Sequence, residues 1–216
     1  MSGGPEPALT GPLEPSALHG LVGVLGEAQR RGFLGPGPVE GHIRHAWPLL
    51  DVLPIEGLAV DLGSGGGVPG LVLALGRPRL GWVFVECQER RARWLREAAR
   101  RLDAADRIEV RQARAEAEGR GALRHTADMV TARSFAVPGV TAECAAPLLR
   151  AEGRMWVAEP PGPQVGPERW PAGPLAELGM VRNPTMTGGW VELDQIRPCP
   201  DRYPRRVGIP TKRPLF

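Results

Sequence analysis

A chain of 216 residues, 42% hydrophobic and 24% charged, has apolar material for one domain with a full core and a small extension. Its net charge of +3 is too small to decide for or against a nucleic-acid partner, and no apolar run approaches the roughly 20 residues that span a bilayer, so no membrane is expected. Cys87, Cys144 and Cys199 form no Cys-x-x-Cys pair, which excludes a zinc site of that kind and predicts reduced thiols in a cytoplasmic protein.

Met1 to Pro15 is rich in Gly and Pro and lacks a basic leader. No signal peptide is expected, and residues 1–15 are expected to be disordered. Residues 16–56 are predicted to form an N-terminal helical cap. Leu18, Leu21, Val22 and Leu25 recur at helical spacing in Pro15–Arg31, and Ile43, Trp47 and Leu50 share one side of Val39–Leu53. His42 and His45, three apart in that second helix, are expected as a packed or solvated pair and not as metal ligands.

Residues 57–216 alternate strand and helix. Predicted strands are Leu58–Leu62, Trp82–Cys87, Ile108–Arg111, Met129–Ala132 and Arg154–Ala158. Between them lie helices over Pro69–Leu75, Glu89–Leu102 and Val140–Leu149. Glu159 to Pro174 is a loop, followed by a short helix, Leu175–Gly179. Strands near Met180–Arg182 and Trp190–Ile196 close the chain as an antiparallel hairpin turned at Gly188-Gly189. This order predicts a Rossmann-like α/β fold with a mainly parallel sheet and right-handed crossovers.

The densest signal is Asp61-Leu62-Gly63-Ser64-Gly65-Gly66-Gly67-Val68-Pro69-Gly70, which joins the first strand to the first helix of the sheet. Residues 65–70 match G-x-G-x-x-G, a weak pattern alone. Asp61 closes strand one just before the turn, and Glu86, about 20 residues beyond the loop, ends strand two where an acidic side chain can bind ribose hydroxyls. Both suit S-adenosylmethionine (SAM) and NAD alike. Leu62 stands where a nucleophile elbow needs glycine, and no G-x-x-x-x-G-K-[ST] occurs, so a nucleophile elbow at Ser64 and a P-loop ATPase are excluded.

Arg114-Ala115-Glu116 after strand three and Thr131-Ala132-Arg133 at the end of strand four lie at the carboxyl edge of the sheet, where ligands of such folds bind. Backbone at 115–116 can meet an adenine edge, and Arg133 can hold a carboxylate. By position alone an exposed end-of-strand charge is an equal alternative for each arginine. Two stretches are rich in arginine. Arg90, Arg91, Arg93, Arg96, Arg100 and Arg101 fall on one helix and read as a solvated face. Arg197, Arg202, Arg205, Arg206, Lys212 and Arg213 face only Asp201, and prolines hold that tail extended.

The loop 61–70, Arg90-Arg91-Ala92-Arg93-Trp94-Leu95, Arg114-Ala115-Glu116, Val130-Thr131-Ala132-Arg133 and Tyr203-Pro204-Arg205-Arg206-Val207-Gly208-Ile209-Pro210 occur in that order. With these the chain resembles the ribosomal small-subunit RNA methyltransferase G family, also called the glucose-inhibited division protein B family, from about residue 40 onward. The resemblance implies a class I SAM-dependent methyltransferase sheet with an N-terminal helical extension, and N7 methylation of one guanine in small-subunit (16S) rRNA, met as RNA or as a ribosomal particle; a monomer is expected. It implies that Asp61, Gly63, Gly65, Val68, Glu86, Ala115, Glu116 and Arg133 bind SAM. Arg133 and Arg114 would orient the reactants without a general base, and Arg205, Arg206 and Lys212 would meet RNA. No metal is implied.

The chain departs from the family at two places. Phe33-Leu34-Gly35-Pro36-Gly37-Pro38 replaces an Asn-Leu-Thr segment, and Ala158-Glu159-Pro160 stands where many members carry a lysine. A carboxylate there is expected to repel phosphate. Two alternatives follow: a SAM-dependent enzyme for a small molecule or protein, and a vestigial RNA-binding paralogue. An NAD-linked oxidoreductase is disfavoured by Pro69 in the loop and by the late hairpin.

Overall fold

Gly57–Leu62 (β1) carries apolar side chains on both faces, Ala59 toward one and Val60 and Leu62 toward the other, and such a strand is stable only inside a covered sheet. In the computed structural model, which describes residues 11–160 and 166–216, β1 lies inside a sheet of seven strands, third in the order and next to the central one. The others are Leu80–Val85 (β2), Ile108–Arg111 (β3), Ala127–Ala132 (β4), Leu149–Ala158 (β5), Met180–Thr187 (β6) and Trp190–Gln195 (β7). The order is β3-β2-β1-β4-β5-β7-β6. The first five strands run parallel, and β7 inserts antiparallel between β5 and β6.

Each face of the sheet has its own core. On one face, Pro15–Arg30 (α1), Val39–Ala46 (α2), Gly70–Gly76 (α3) and Glu89–Arg101 (α4) bury Leu21, Leu25, Ile43, Leu71 and Leu95 with Trp82, Trp156 and Trp190 of the sheet. On the other, Pro138–Ala145 (α6) and Ala172–Glu177 (α7) cover Val60, Leu62, Val130, Met155 and Leu193. Ala115–Glu118 (α5) follows β3, and Ile209–Lys212 (α8) packs near α6. The N-terminal helices therefore complete one face of the main core.

Several elements differ from their sequence-based bounds. The helix expected over Val39–Leu53 stops at Ala46 and continues as a 3-10 turn, Trp47–Asp51, because Pro48 has no N–H to continue the α-helical pattern. The helix expected to Leu149 ends at Ala145. Pro147 follows, and Leu149 already pairs with Ala127 in the sheet. The strand expected to reach Cys87 ends at Val85, which frees Glu86 and Cys87 for the sheet edge. The short helix after the loop begins at Ala172, not Leu175, and β6 runs on to Thr187. Of the segment expected to be disordered, residues 1–10 lie outside the described residues, while Leu13 is buried and Pro15 opens α1.

After β1 the chain adds β2 and β3 on one side, then crosses to place β4 on the other. That reversal opens a crevice beyond the carboxyl ends of β1 and β4, the place where such sheets receive ligands.

Candidate functional site

Asp61, next to last in β1, is fully covered at 1% exposure. Its Oδ1 accepts the Thr131 hydroxyl from β4 at 2.7 Å, and its backbone oxygen accepts the Ser64 hydroxyl at 2.9 Å. Oδ2 is buried with no side-chain hydrogen-bond partner. Burial raises the carboxyl from 3.8 to about 6, a rise opposed by hydrogen bonds from Thr131, Ser64 and the Gly70 backbone and increased by Glu86. An incompletely satisfied buried carboxylate at the mouth of a ligand crevice is what an absent polar group would complete.

The loop beyond Asp61 depends on its glycines. Gly63 has φ +65°, and a Cβ there would lie 2.6 Å from Cδ2 of Phe135. No other residue permits both that dihedral and that approach. Gly65 also has positive φ, and its N–H donates to Glu86 Oε2 at 3.0 Å. Glu86 Oε1 accepts the Gln88 N–H at 2.8 Å. Glu86, expected as a ribose ligand, thus also buttresses the glycine loop, and each of its oxygens keeps a second lone pair for a hydroxyl. The Val68 side chain points into the core and is 7% exposed.

Across the crevice, Ala115 and Glu116 begin α5 and are buried. Glu116 Oε1 accepts the Gly208 N–H at 2.9 Å, so its side chain ties the C-terminal tail to α5. Arg114 is exposed at the start of this helix.

Arg133 follows β4. One amino group, Nη2, lies 2.6 Å from Nδ1 of His42 on α2, and the other, Nη1, is buried without a partner. Burial lowers the guanidinium's pKa, with Asp61 acting in the opposite sense. Arg133 is therefore a desolvated cation with a donor to spare. His42, expected as one of a packed or solvated pair, touches this arginine. Nothing in its spacing showed this, because its partner is 91 residues away in the chain. Burial, then the nearby Arg133 charge, lower the pKa of both His42 and His45.

A cavity of about 910 Å³ opens beside Arg133 at the ends of β4, β5 and β7. His45, Phe135, Val137, Glu159, Arg169 and Trp170 are among its lining residues. Here the structure corrects an expectation. The Glu159 side chain is 2% exposed, 2.6 Å from Nε of Arg169, and its Oε1 accepts the Trp170 indole N–H at 2.7 Å. The carboxylate expected to repel phosphate is neutralised from within the chain, and what the cavity presents beside it is a guanidinium.

In the tail, Arg205 has a partner that the sequence did not show. Arg205 closes on Glu143, itself 0% exposed, with Nη2 to Oε2 at 2.6 Å and Nε to Oε1 at 2.9 Å, and Nη2 also donates to the Arg213 carbonyl. Arg205, expected as an RNA contact, thus also anchors the tail. Arg206 and Lys212 remain exposed. The C-terminal Phe216 ring meets Trp170 edge-on at 6.3 Å, which brings the anchored tail to the cavity wall.

Comparison with known proteins identifies relatives of the chain. The family model described as rRNA small subunit methyltransferase G matches residues 40–159. The ribosomal RNA small subunit methyltransferase G of Symbiobacterium thermophilum is 34% identical over 198 residues, covering 82% of this chain and 80% of that protein. Its counterpart in Syntrophomonas wolfei is 31% identical over 213 residues, 94% of each chain. Among solved structures, a SAM-dependent O-methyltransferase from Thermotoga maritima superposes with a TM-score of 0.55 at 14% identity, covering 80% of this chain and 71% of that one. An O-methyltransferase family 2 protein from Planctomyces limnophilus gives 0.57 at 12% identity, covering 84% and 62%. These two share the fold.

Proposed function

The chain belongs to the rRNA small subunit methyltransferase G family, and from that premise we propose that it transfers the methyl group of SAM to N7 of a guanine in small-subunit ribosomal RNA. The observation that carries the proposal is the pairing, at one switch point, of a buried, incompletely satisfied Asp61 with a desolvated Arg133 that keeps a free amino group. An amino acid end group, cationic at one point and anionic at another, complements that pair.

The residues present fit SAM. Asp61, the backbone of Gly63, Gly65 and Val68, Glu86 and the backbone at Ala115 and Glu116 would hold it, with Arg133 at its edge. When bound, SAM supplies a methyl group activated by a sulfonium centre. Guanine N7 offers a lone pair and no proton to remove, which accounts for a cavity that needs no acid–base dyad. The work left to the chain is alignment and the exclusion of water. Arg133 fixes orientation from the end of β4. The cavity beside it admits a base turned out of its stack. Phe135 offers an aromatic face to such a base, and Arg169 and Arg133 offer cations to its ribose-phosphate. Arg114, Arg206 and Lys212, exposed on α5 and the tail, extend the positive surface toward flanking RNA. The substrate places the enzyme in the cytoplasm with the ribosome.

The alternative of a non-RNA acceptor rested on Glu159. With that carboxylate paired to Arg169, the cavity no longer argues against phosphate. Calorimetric titration of SAM and of NAD into the protein and into Asp61→Ala tests the assignment. SAM binding that the variant loses supports it, whereas binding of NAD alone contradicts it.

A further inference from the structure

The His42–Arg133 contact fixes the protonation of both partners. Guanidinium nitrogens donate and never accept, so Nδ1 of His42, 2.6 Å from Arg133 Nη2, must carry a lone pair. The ring proton is then on Nε2, which donates to the Gly35 carbonyl at 3.1 Å. The same carbonyl accepts the Gln29 side-chain amide from α1 at 2.8 Å, which holds the Gly35 loop in place. Two residues earlier in that loop, the Phe33 carbonyl oxygen lies so close to Gly66 that a Cβ there would be 2.8 Å from it. Residues 33–42 thus touch the glycine loop at one end and the site arginine at the other.

We propose that His42 is a positioning residue for Arg133, and that the segment 33–42 holds the cofactor loop and this arginine in register as one unit. The inference rests on the placement of Arg133 in the SAM and acceptor site. A free arginine at a strand end samples many rotamers. A neutral imidazole accepting from Nη2 selects one of them and leaves Nη1 as the donor for the ligand. An imidazolium cannot accept, and it repels the guanidinium. Among the described residues, Arg133 from the end of β4 acts on the ring, His45 on the same helix interacts with it, and Asp61 on β1 acts on Arg133 in turn. Burial and the Arg133 charge both keep His42 neutral.

The test compares His42→Leu, which removes the acceptor, with His42→Asn, whose amide oxygen falls near the Nδ1 position. A hydrogen bond to a charged group predicts a loss of about tenfold or more in kcat/KM for His42→Leu, with most of it recovered in His42→Asn. Long-range ¹⁵N–¹H spectra of the imidazoles in the full chain should show His42 as the Nε2–H tautomer, and Arg133→Met should raise the pH at which it protonates. Equal activity of His42→Leu and the parent, equal impairment of the Leu and Asn variants, or an Nδ1–H tautomer would each overturn the inference. Full activity of Arg133→Ala would overturn the site assignment and the inference with it. An inactive Arg133→Ala beside a fully active His42→Leu overturns the inference alone.

Discussion

The Thr131 hydroxyl of β4 reaches across to Oδ1 of Asp61 on β1 at 2.7 Å, tying together the two paired strands whose carboxyl ends border the ligand crevice. The bond pins one carboxylate oxygen and leaves the other, Oδ2, buried and short of a partner. Thr131→Val removes the pin at nearly constant volume. It should weaken SAM binding by roughly 1–3 kcal/mol, the cost of orphaning a buried acceptor, as read by calorimetry, and unchanged affinity would deny the bond a role.

Asp61 also sets a pH dependence. Burial raises its carboxyl from 3.8 to about 6, so the folded chain holds the proton more tightly than the unfolded one. The contribution to stability is complete below about pH 4 and is lost as pH rises through about 6. Asp61→Asn keeps an acceptor for Thr131 and removes the buried charge. At pH 8 it should stabilise the ligand-free protein by up to about 3 kcal/mol, at about 1.4 kcal/mol per pH unit, while weakening SAM binding. Thermal unfolding at pH 5 and pH 8 checks this, and a variant no more stable than the parent at pH 8 contradicts it.

Glu143 and Arg205 separate anchoring from RNA contact. Removing Arg205 leaves a carboxylate in α6 buried and unpaired, so Arg205→Ala should cost about 3–5 kcal/mol in denaturant unfolding. Arg206→Ala and Lys212→Ala touch no such partner and should leave stability within about 0.5 kcal/mol. Each should instead lower the salt slope of RNA binding by about one phosphate contact. A normal salt slope in both would remove the tail from the RNA interface.

Arg169 should matter to RNA and not to SAM. Changing Glu159 and Arg169 together, to Gln and Met, avoids an unpaired buried charge. The double variant should bind SAM as the parent does and lose roughly tenfold in affinity for the RNA, a loss of about 1.4 kcal/mol. Weakened SAM binding would mean that this pair supports the cofactor side.

The strand and helix order was legible because each segment carries its own period. Glu89–Arg101 repeats Ala92, Leu95 and Ala99 on one side, and the loop 61–70 holds glycines whose dihedrals only glycine adopts freely. Boundaries slipped where proline acts one or two residues away, at Pro48 and Pro147. The charge partners were not legible. Glu159 reads as a repulsive carboxylate until the chain returns ten residues later with Arg169. Arg205 reads as a free cation until α6 brings Glu143 from 62 positions back. His42 reads as packing until β4 delivers Arg133. In each case the partner is chosen by the fold, and neither periodicity nor spacing encodes it.

The most direct measurement incubates the protein with methyl-labelled SAM and small-subunit ribosomal RNA, free and as the assembled particle, and identifies the labelled nucleoside by mass spectrometry. The account predicts label in 7-methylguanosine at one position, lost with Arg133→Ala. Label in another nucleoside, or in none while SAM still binds, would contradict it.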